Sequence, residues 1–300
     1  MNVYFIMLCL VSFFLFVFRY SRTYKNKKKC AVLIAFILIV IAGLRYKVGT
    51  DYTAYIMNYE KYKNADILEL KYAGVYLIAR LACLLNDDYA TWFFLMSVLT
   101  IGGAVYSIFK YSSNFPFSIL LYLFIGCWHN SFNVVKQCAA VTILLFGLQY
   151  IFDRKFLKWG IVCLVASSFH ISAVLMIPIY FLVTREIGKK QIFLLIVIAF
   201  AVSLSYDRLM ALMSSLKSLD SIDASKSVTT RNVNILRVLV NFAPVLLMLF
   251  FCRNMKKEDA KFKVLANFAL LNAFLYLANM GSVYLTRFCL YTEVYNTLFI

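Results

Sequence analysis

Apolar runs recur along the whole chain and constrain its fold more than any other feature. They lie near residues 3–18, 30–44, 90–109, 116–130, 133–152, 157–169, 170–184, 190–206, 233–252, 264–280 and 283–300, with a shorter one at 72–86 that contains Arg80. Runs of this kind are read as transmembrane helices, since a helix needs about 20 apolar residues to cross the hydrocarbon core. In lipid every backbone amide must be satisfied inside the chain, which leaves helices or closed barrels. The runs are continuous rather than alternating, which disfavours a barrel. Composition agrees: 63% of residues are hydrophobic and 15% charged, where a soluble domain carries roughly a quarter charged. The expectation is an all-α, polytopic integral membrane protein forming a single transmembrane domain over residues 1–300. It has about eleven transmembrane helices, a short interfacial or re-entrant segment at 72–86, and two outer loops at 45–72 and 207–232.

The net charge of +17 would suit nucleic acid in a soluble protein. In a membrane protein basic residues gather in cytoplasmic loops and set orientation, so nucleic acid is not an expected partner. The segment SRTYKNKKK follows the first run, which puts that loop inside and the N-terminus outside. With 72–86 not crossing, Lys110, DRKFLK, TREIGKK and CRNMKKEDAKFK all fall inside. Inside segments then carry 18 of the 31 basic residues and 4 of the 14 acidic ones. The first run lacks a basic segment before it and has one after it, the order of a retained signal anchor. The 8 cysteines sit mostly within apolar runs with no CxxC pattern, so neither a disulfide framework nor a metal set is expected. No cofactor is implied.

The second run ends on GLRYKVGTDY, residues 43–52. An arginine, a lysine and an aspartate around a glycine are more than an interfacial anchor needs. Other polar residues gather on the same expected side. His129, Asn133, Lys136 and Gln137 stand at offsets 0, 4, 7 and 8, one face of a continuous helix. Asn234, Arg237 and Asn241 share offsets 0, 3 and 7, as do Tyr284, Arg287 and Tyr291. His170 separates two short apolar segments and is expected at the tip of a turn. Outer-side cations run against the topology rule, so Arg45, Lys47, Lys136, Arg237 and Arg287 each need a reason. Together they suit a multiply charged anion, because arginine forks grip phosphate bidentately and lysine adds a point charge. In a membrane that anion is a lipid-linked phosphate or pyrophosphate. No GxxxxGK[ST] or GxGxxG loop is present, which argues against a nucleotide.

GLRYKVGTDYTAY at 43–55, NVVKQCAAVTILL at 133–145 and ASSFHISAVLMIPIYF at 166–181, with NILRVLVNFAP at 234–244 and LTRFCLY at 285–291, resemble the EpsG family of bacterial Wzy-like polysaccharide polymerases. One departure is visible: the family has an Arg-Gln pair where this chain has Lys136-Gln137, so charge is kept and the fork is lost. The resemblance also implies a chain that continues past TEVYNTLFI. It implies a metal-independent glycosyltransferase of the bacterial plasma membrane that joins oligosaccharide repeat units carried on undecaprenyl pyrophosphate at its outer face. Chain-length regulators, a flippase or export proteins are the implied partners.

On that reading Arg45, Lys136, Arg237 and Arg287 hold the pyrophosphate. Asp51 and His170 are the candidate catalytic bases, His170 because an unperturbed imidazole titrates near neutrality. Lys47, Gly49, Asn133 and Gln137 support the site, with Gly49 permitting the turn that places Asp51. Tyr46, Tyr52, Tyr55 and Trp128 are either stacking platforms for sugars or interfacial anchors. A transporter or flippase of the same lipid-linked sugar is the rival reading, and an O-antigen ligase-type transferase shares the chemistry with a different acceptor. Transport would need polar residues in the inner halves of several helices, where this chain is mainly apolar.

Overall fold

The structure, a computed structural model, describes residues 2–65, 72–186, 197, 234–251, 260–279 and 285–298. Among them every regular element is helical. Two compact units divide the chain, residues 1–180 and 181–299.

The first unit opens with α1 (Asn2–Tyr20) and α2 (Tyr24–Gly43), which pack together across a tight turn. Met7, Val11, Leu15 and Phe18 form the buried stripe of α1, and Cys30, Ile34, Leu38 and Ala42 that of α2. Steps of three and four residues put each set on one face. Thr23 caps α2 by accepting from the Asn26 amide at 3.3 Å. A polar helix, α3 (Tyr52–Asn64), and an apolar one, α4 (Ala73–Asn86), follow. Next comes a 23-residue helix made of α5 (Tyr89–Ser97), a π turn (Val98–Gly102) and α6 (Gly103–Tyr111). A π turn frees a carbonyl from the α pattern; here the Thr100 carbonyl accepts from Thr142 Oγ1 at 2.9 Å. That bond ties the long helix to a later one over residues 135–146.

Beyond α7 (Phe115–Phe124) the chain turns through Gly126, at φ +94°, into α8 (Cys127–Asn133), bent 45° from α7. Then come α9 (Val135–Phe146) and α10 (Leu148–Phe152). α11 (Phe156–Ser167) runs into a 3₁₀ turn (Ile171–Leu175) and α12 (Met176–Thr184). These form an antiparallel hairpin: Trp159 Nε1 donates to the Met176 carbonyl at 3.0 Å, and the Phe156 and Tyr180 rings meet at 5.2 Å.

In the second unit α13 (Ile235–Phe251) packs on α14 (Ala260–Ala278) through Val245, Phe242, Ala269, Ala273 and Phe274. α14 is buried on nearly every side from Val264 to Phe274, the mark of a central helix. Short turns of 3₁₀ and α helix over Leu285–Thr297 close the unit.

By length and apolarity, three described helices can cross a membrane: Val3–Tyr20, Tyr89–Tyr111 and Ala260–Ala278. The bent pair α7 and α8 passes the same test together. Several apolar helices are shorter, α4, α9 and α11 among them. The 45–72 segment holds the 13-residue α3, and the 207–232 segment lies outside the described residues.

One sequence expectation is corrected. His129, Asn133, Lys136 and Gln137 do not lie on one continuous helix. The helix breaks at Val134 (φ −106°, ψ 51°), so His129 and Asn133 belong to α8, and Lys136 and Gln137 to α9. Spacing alone cannot register such a break, because Val134 carries no glycine or proline signal.

Candidate functional site

The C-terminus of α2 and the residues after it build the first part of the site. Leu44 donates its amide to the Val40 carbonyl at 2.9 Å and ends the helix. Arg45 folds back, and its Nη1 donates to the Ala42 carbonyl at 2.9 Å. A cation here also suits the negative end of the helix dipole. The side chain is 8% exposed. Its guanidinium lies over the Phe93 ring at 4.3 Å and the Phe132 ring at 5.3 Å. Its Nε and Nη2 have no hydrogen-bond partner among the described residues. Those two N–H groups share one edge of the guanidinium, the edge that grips a carboxylate or phosphate with two parallel bonds. Loss of solvation lowers the Arg45 guanidinium to about 10, still charged at neutral pH.

The chain then turns sharply. Lys47 is at φ 52° and Gly49 at φ +106°, and its exposed amine lies over the Tyr46 ring at 5.2 Å. A Cβ at Gly49 would sit 2.6 Å from the Phe132 carbonyl oxygen. Only glycine combines that φ with so close an approach. Beside it Asn133 Oδ1 accepts from the Thr50 amide at 2.7 Å and from Thr50 Oγ1 at 3.2 Å. The RYKVGTD loop is thus clasped to the end of α8. Asp51 follows at the head of α3 and accepts from Thr50 Oγ1 at 3.2 Å. Among the described residues it forms no ion pair with Arg45 or Lys47.

α3 presents Tyr52, Tyr55, Tyr59 and Tyr62 on its buried face. Tyr52 stacks on Phe93 at 5.2 Å, and Tyr55 and Tyr62 lie against Trp92. Burial raises the Tyr55 phenol and pushes Tyr62 up to about 12. Lys136, in the first turn of α9, directs its amine at this ladder. It donates to Tyr62 Oη at 3.4 Å and lies over the Tyr72 ring at 4.2 Å. Gln137 beside it is buried.

The His170 turn meets the same neighbourhood at the start of α4. The Gly74 amide donates to the Ser168 carbonyl at 3.0 Å, and the Phe169 ring covers Gly74 so closely that a Cβ would stand 2.3 Å from it. His170 is half-buried between α11 and the 3₁₀ turn, as the tip of the hairpin. Its Nδ1 shares a 2.6 Å hydrogen bond with Ser172 Oγ. Residues 72–74 therefore touch both Lys136 and the His170 turn.

In the second unit Arg237 has a different environment. Asn234 caps α13 by accepting from the Leu236 amide at 2.9 Å. One turn on, Arg237 Nε donates to Tyr276 Oη at 3.2 Å, and Nη2 stands 3.9 Å from Glu293 Oε2. Glu293 is fully buried while the Arg237 side chain is 38% exposed. A ladder of amides runs alongside: Asn241 Nδ2 to the Arg237 carbonyl, Asn272 Nδ2 to Asn241 Oδ1, and Thr292 Oγ1 to Asn272 Oδ1, each at 2.9 Å. Arg287 is exposed on its 3₁₀ turn and Tyr291 is buried. Tyr284 lies outside the described residues.

Residues 28–300 match the EpsG family. The chain belongs to the EpsG family. The general role of this family is Wzy-like polymerisation, which makes the chain a helical membrane protein of the polysaccharide polymerase type. No curated protein matches it, and no solved structure does.

Within this EpsG-family chain the structure gathers Arg45, Lys47, Gly49, Asp51, Asn133, Lys136, Gln137 and His170 in the first unit, and holds Arg237 and Arg287 in the second. Sequence reasoning missed Glu293 as the partner of Arg237, and missed the Tyr62 and Tyr72 seat of Lys136. Glu293 carried a usable signal, since an acid inside an apolar run is costly unless paired. Of the aromatic residues expected to be stacking platforms or anchors, Tyr52, Tyr55 and Trp128 are buried and pack within the protein. Tyr46 remains 67% exposed.

Proposed function

We propose that this protein is a plasma-membrane glycosyltransferase that joins oligosaccharide repeat units carried on undecaprenyl pyrophosphate at the outer face of the membrane. Its N-terminus faces outward, its chain crosses about eleven times, and it works beside chain-length and export or flippase proteins. Family membership over residues 28–300 supports polymerisation. The observation that supports the anion site is the Nε and Nη2 edge of buried Arg45, which has no hydrogen-bond partner among the described residues. Leaving buried donors unpaired costs about 1–3 kcal/mol each, a cost that a bound phosphate oxygen pair offsets.

In the reaction an acceptor sugar hydroxyl attacks the anomeric carbon of the donor. The new C–O bond forms as the bond to pyrophosphate breaks, and the electron pair leaves with undecaprenyl pyrophosphate. Arg45 and Lys136 stabilise the charge growing there, and Lys47 adds to the local field. His170 takes the hydroxyl proton, with Asp51 as the other candidate. Arg237 and Arg287 are the cations of the second unit with the same chemistry.

The test is polymer length in cells that carry or lack the gene, with lipid-linked sugars extracted in parallel. Single repeat units accumulating outside, with no polymer, are expected. Units trapped on the cytoplasmic side would mean transport instead. Within the site, His170→Ala should lower the rate by about 10²–10⁴, as loss of a general base does, and more than Lys136→Arg. Full activity in His170→Ala would move the base role to Asp51.

A further inference from the structure

A groove of about 490 Å³ runs between the first half of α2 and α6. That volume falls in the range of about 300–1,000 Å³ typical of small-molecule sites. Its floor is made of small or short side chains, Ala31, Gly102 and Val105, which keep the two helices from filling the space. Its walls are apolar and face outward: Val32 is 58% exposed and Tyr106 56%. One end is different. There Tyr24, packed on Phe109 at 5.6 Å, stands beside Lys28 and Lys110. The groove is therefore greasy along its length and cationic at one end.

The neighbouring lysines do not all belong to it. Lys27 is turned to the Phe18 ring at 5.6 Å. Lys28 and Lys110, one from each helix, border the groove, with the Lys110 amine over the Tyr111 ring at 4.9 Å. Lys28 precedes Arg45 by seventeen residues, about 25 Å at the helical rise, so this is the opposite end of α2 from the Arg45 site. The sequence used SRTYKNKKK for orientation alone; the fold joins part of it to a cavity.

We propose that this groove is a binding site for an anionic glycerophospholipid of the surrounding bilayer, with one acyl chain along Ala31, Val32 and Val105 and the headgroup phosphate between Lys28 and Lys110. Charge complementarity selects the head, since basic pockets between membrane helices bind anionic headgroups. The apolar walls select a tail, which inorganic phosphate lacks. The proposal does not depend on the reaction proposed above.

The experiment uses the full chain purified in detergent, with equal amounts of phosphatidylglycerol and phosphatidylcholine added, and counts bound lipids by native mass spectrometry. The expected result is a preference for phosphatidylglycerol of about tenfold or more, from two lysines facing one headgroup. Lys28→Gln/Lys110→Gln should bring the two lipids to parity, and Ala35→Phe, which fills the groove, should reduce binding of both. In the unsubstituted protein a photoactivatable phosphatidylglycerol should label peptides containing residues 31–35 and 105–110. Parity in the unsubstituted protein, unchanged preference in the double variant, or labelling confined to other helices would each overturn the proposal. So would protection of the groove by inorganic phosphate alone, or cross-linking of a polypeptide there in place of lipid.

Discussion

Arg45 is buried and Arg237 is partly exposed, and the two units seat these cations differently. In the first unit aromatic faces do the work: Arg45 lies on Phe93 and Phe132, and Lys136 on Tyr72 and Tyr62. Rings supply a negative face without supplying a charge. In the second unit Arg237 faces the buried carboxylate of Glu293 and the hydroxyl of Tyr276, backed by Asn241, Asn272 and Thr292. A cation seated on rings keeps its full charge for an incoming anion, and a cation facing a carboxylate has been largely compensated. The difference predicts that Arg45 contributes more to anion binding than Arg237 does.

That comparison breaks most easily at Arg45. Arg45→Ala should lower polymer formation by about 10²–10³, the usual loss when one oxyanion contact is removed, while membrane insertion persists. Arg45→Lys keeps the charge, lacks the fork, and should still fall well short of the original chain length. By contrast Arg237→Gln/Glu293→Gln, which removes both charges and keeps the polar shapes, should retain the rate within about tenfold, because a compensated pair offers an outside anion little net charge. Polymer gels of the two variants side by side would reverse the assignment if the second lost more than the first.

Removing only the acid sharpens the other half. Glu293→Ala strips Arg237 of a buried partner. Breaking a buried pair costs about 3–5 kcal/mol, and partial exposure of Arg237 puts this case toward or below the low end. Lower thermal stability in detergent, with Glu293→Gln less affected, is the expected outcome.

The clasp in the first unit gives a smaller effect. Gly49→Ala places a Cβ in the left-handed region and against the Phe132 carbonyl, a strain of at least about 1–2 kcal/mol. Asn133→Ala removes the acceptor of the Thr50 amide, a loss of about 1 kcal/mol. Shorter polymer in both, with Gly49→Ala the worse, would mean that the loop acts through its position.

The smallest effect is a pH dependence where α3 meets the end of α4. Lys63 Nζ bonds Asp87 at 2.8 Å and Glu60 at 3.0 Å. The hydrogen bond from Lys63 holds the Asp87 carboxyl below its ordinary value of 3.8. A depressed carboxylate contributes stability above its unfolded pKa, and that contribution disappears as pH falls through the lowered folded value. Protection factors of the α3 amides, corrected for intrinsic exchange at each pH, should therefore be unchanged from neutrality to about pH 5 and smaller below the ordinary aspartate range. Loss of protection beginning near neutral pH would point to a histidine instead.

Sequence reasoning reached far into the first unit because its signals are local. GLRYKVGTDY shows a helix end, a glycine at a turn and a cation beside it without any knowledge of partners. His170 between two short apolar segments marks a hairpin tip for the same reason. The break at Val134 stayed hidden because a valine carries no break signal, and the hold of Asn133 on Thr50 spans 83 residues of the chain. The aromatic seats of Arg45 and Lys136 were equally invisible, since Phe93, Tyr62 and Tyr72 come from three other segments.

By itself the sequence determined the all-helical class, the membrane character, the family and the residue types that can meet an anion. Apolarity, helical period and turn residues are properties of short stretches, and they act before any long-range contact forms. Only the tertiary structure decided that Arg45 lies against rings and Arg237 against a carboxylate. Burial against a ring and burial against a carboxylate depend on what a distant segment brings to the same few ångströms.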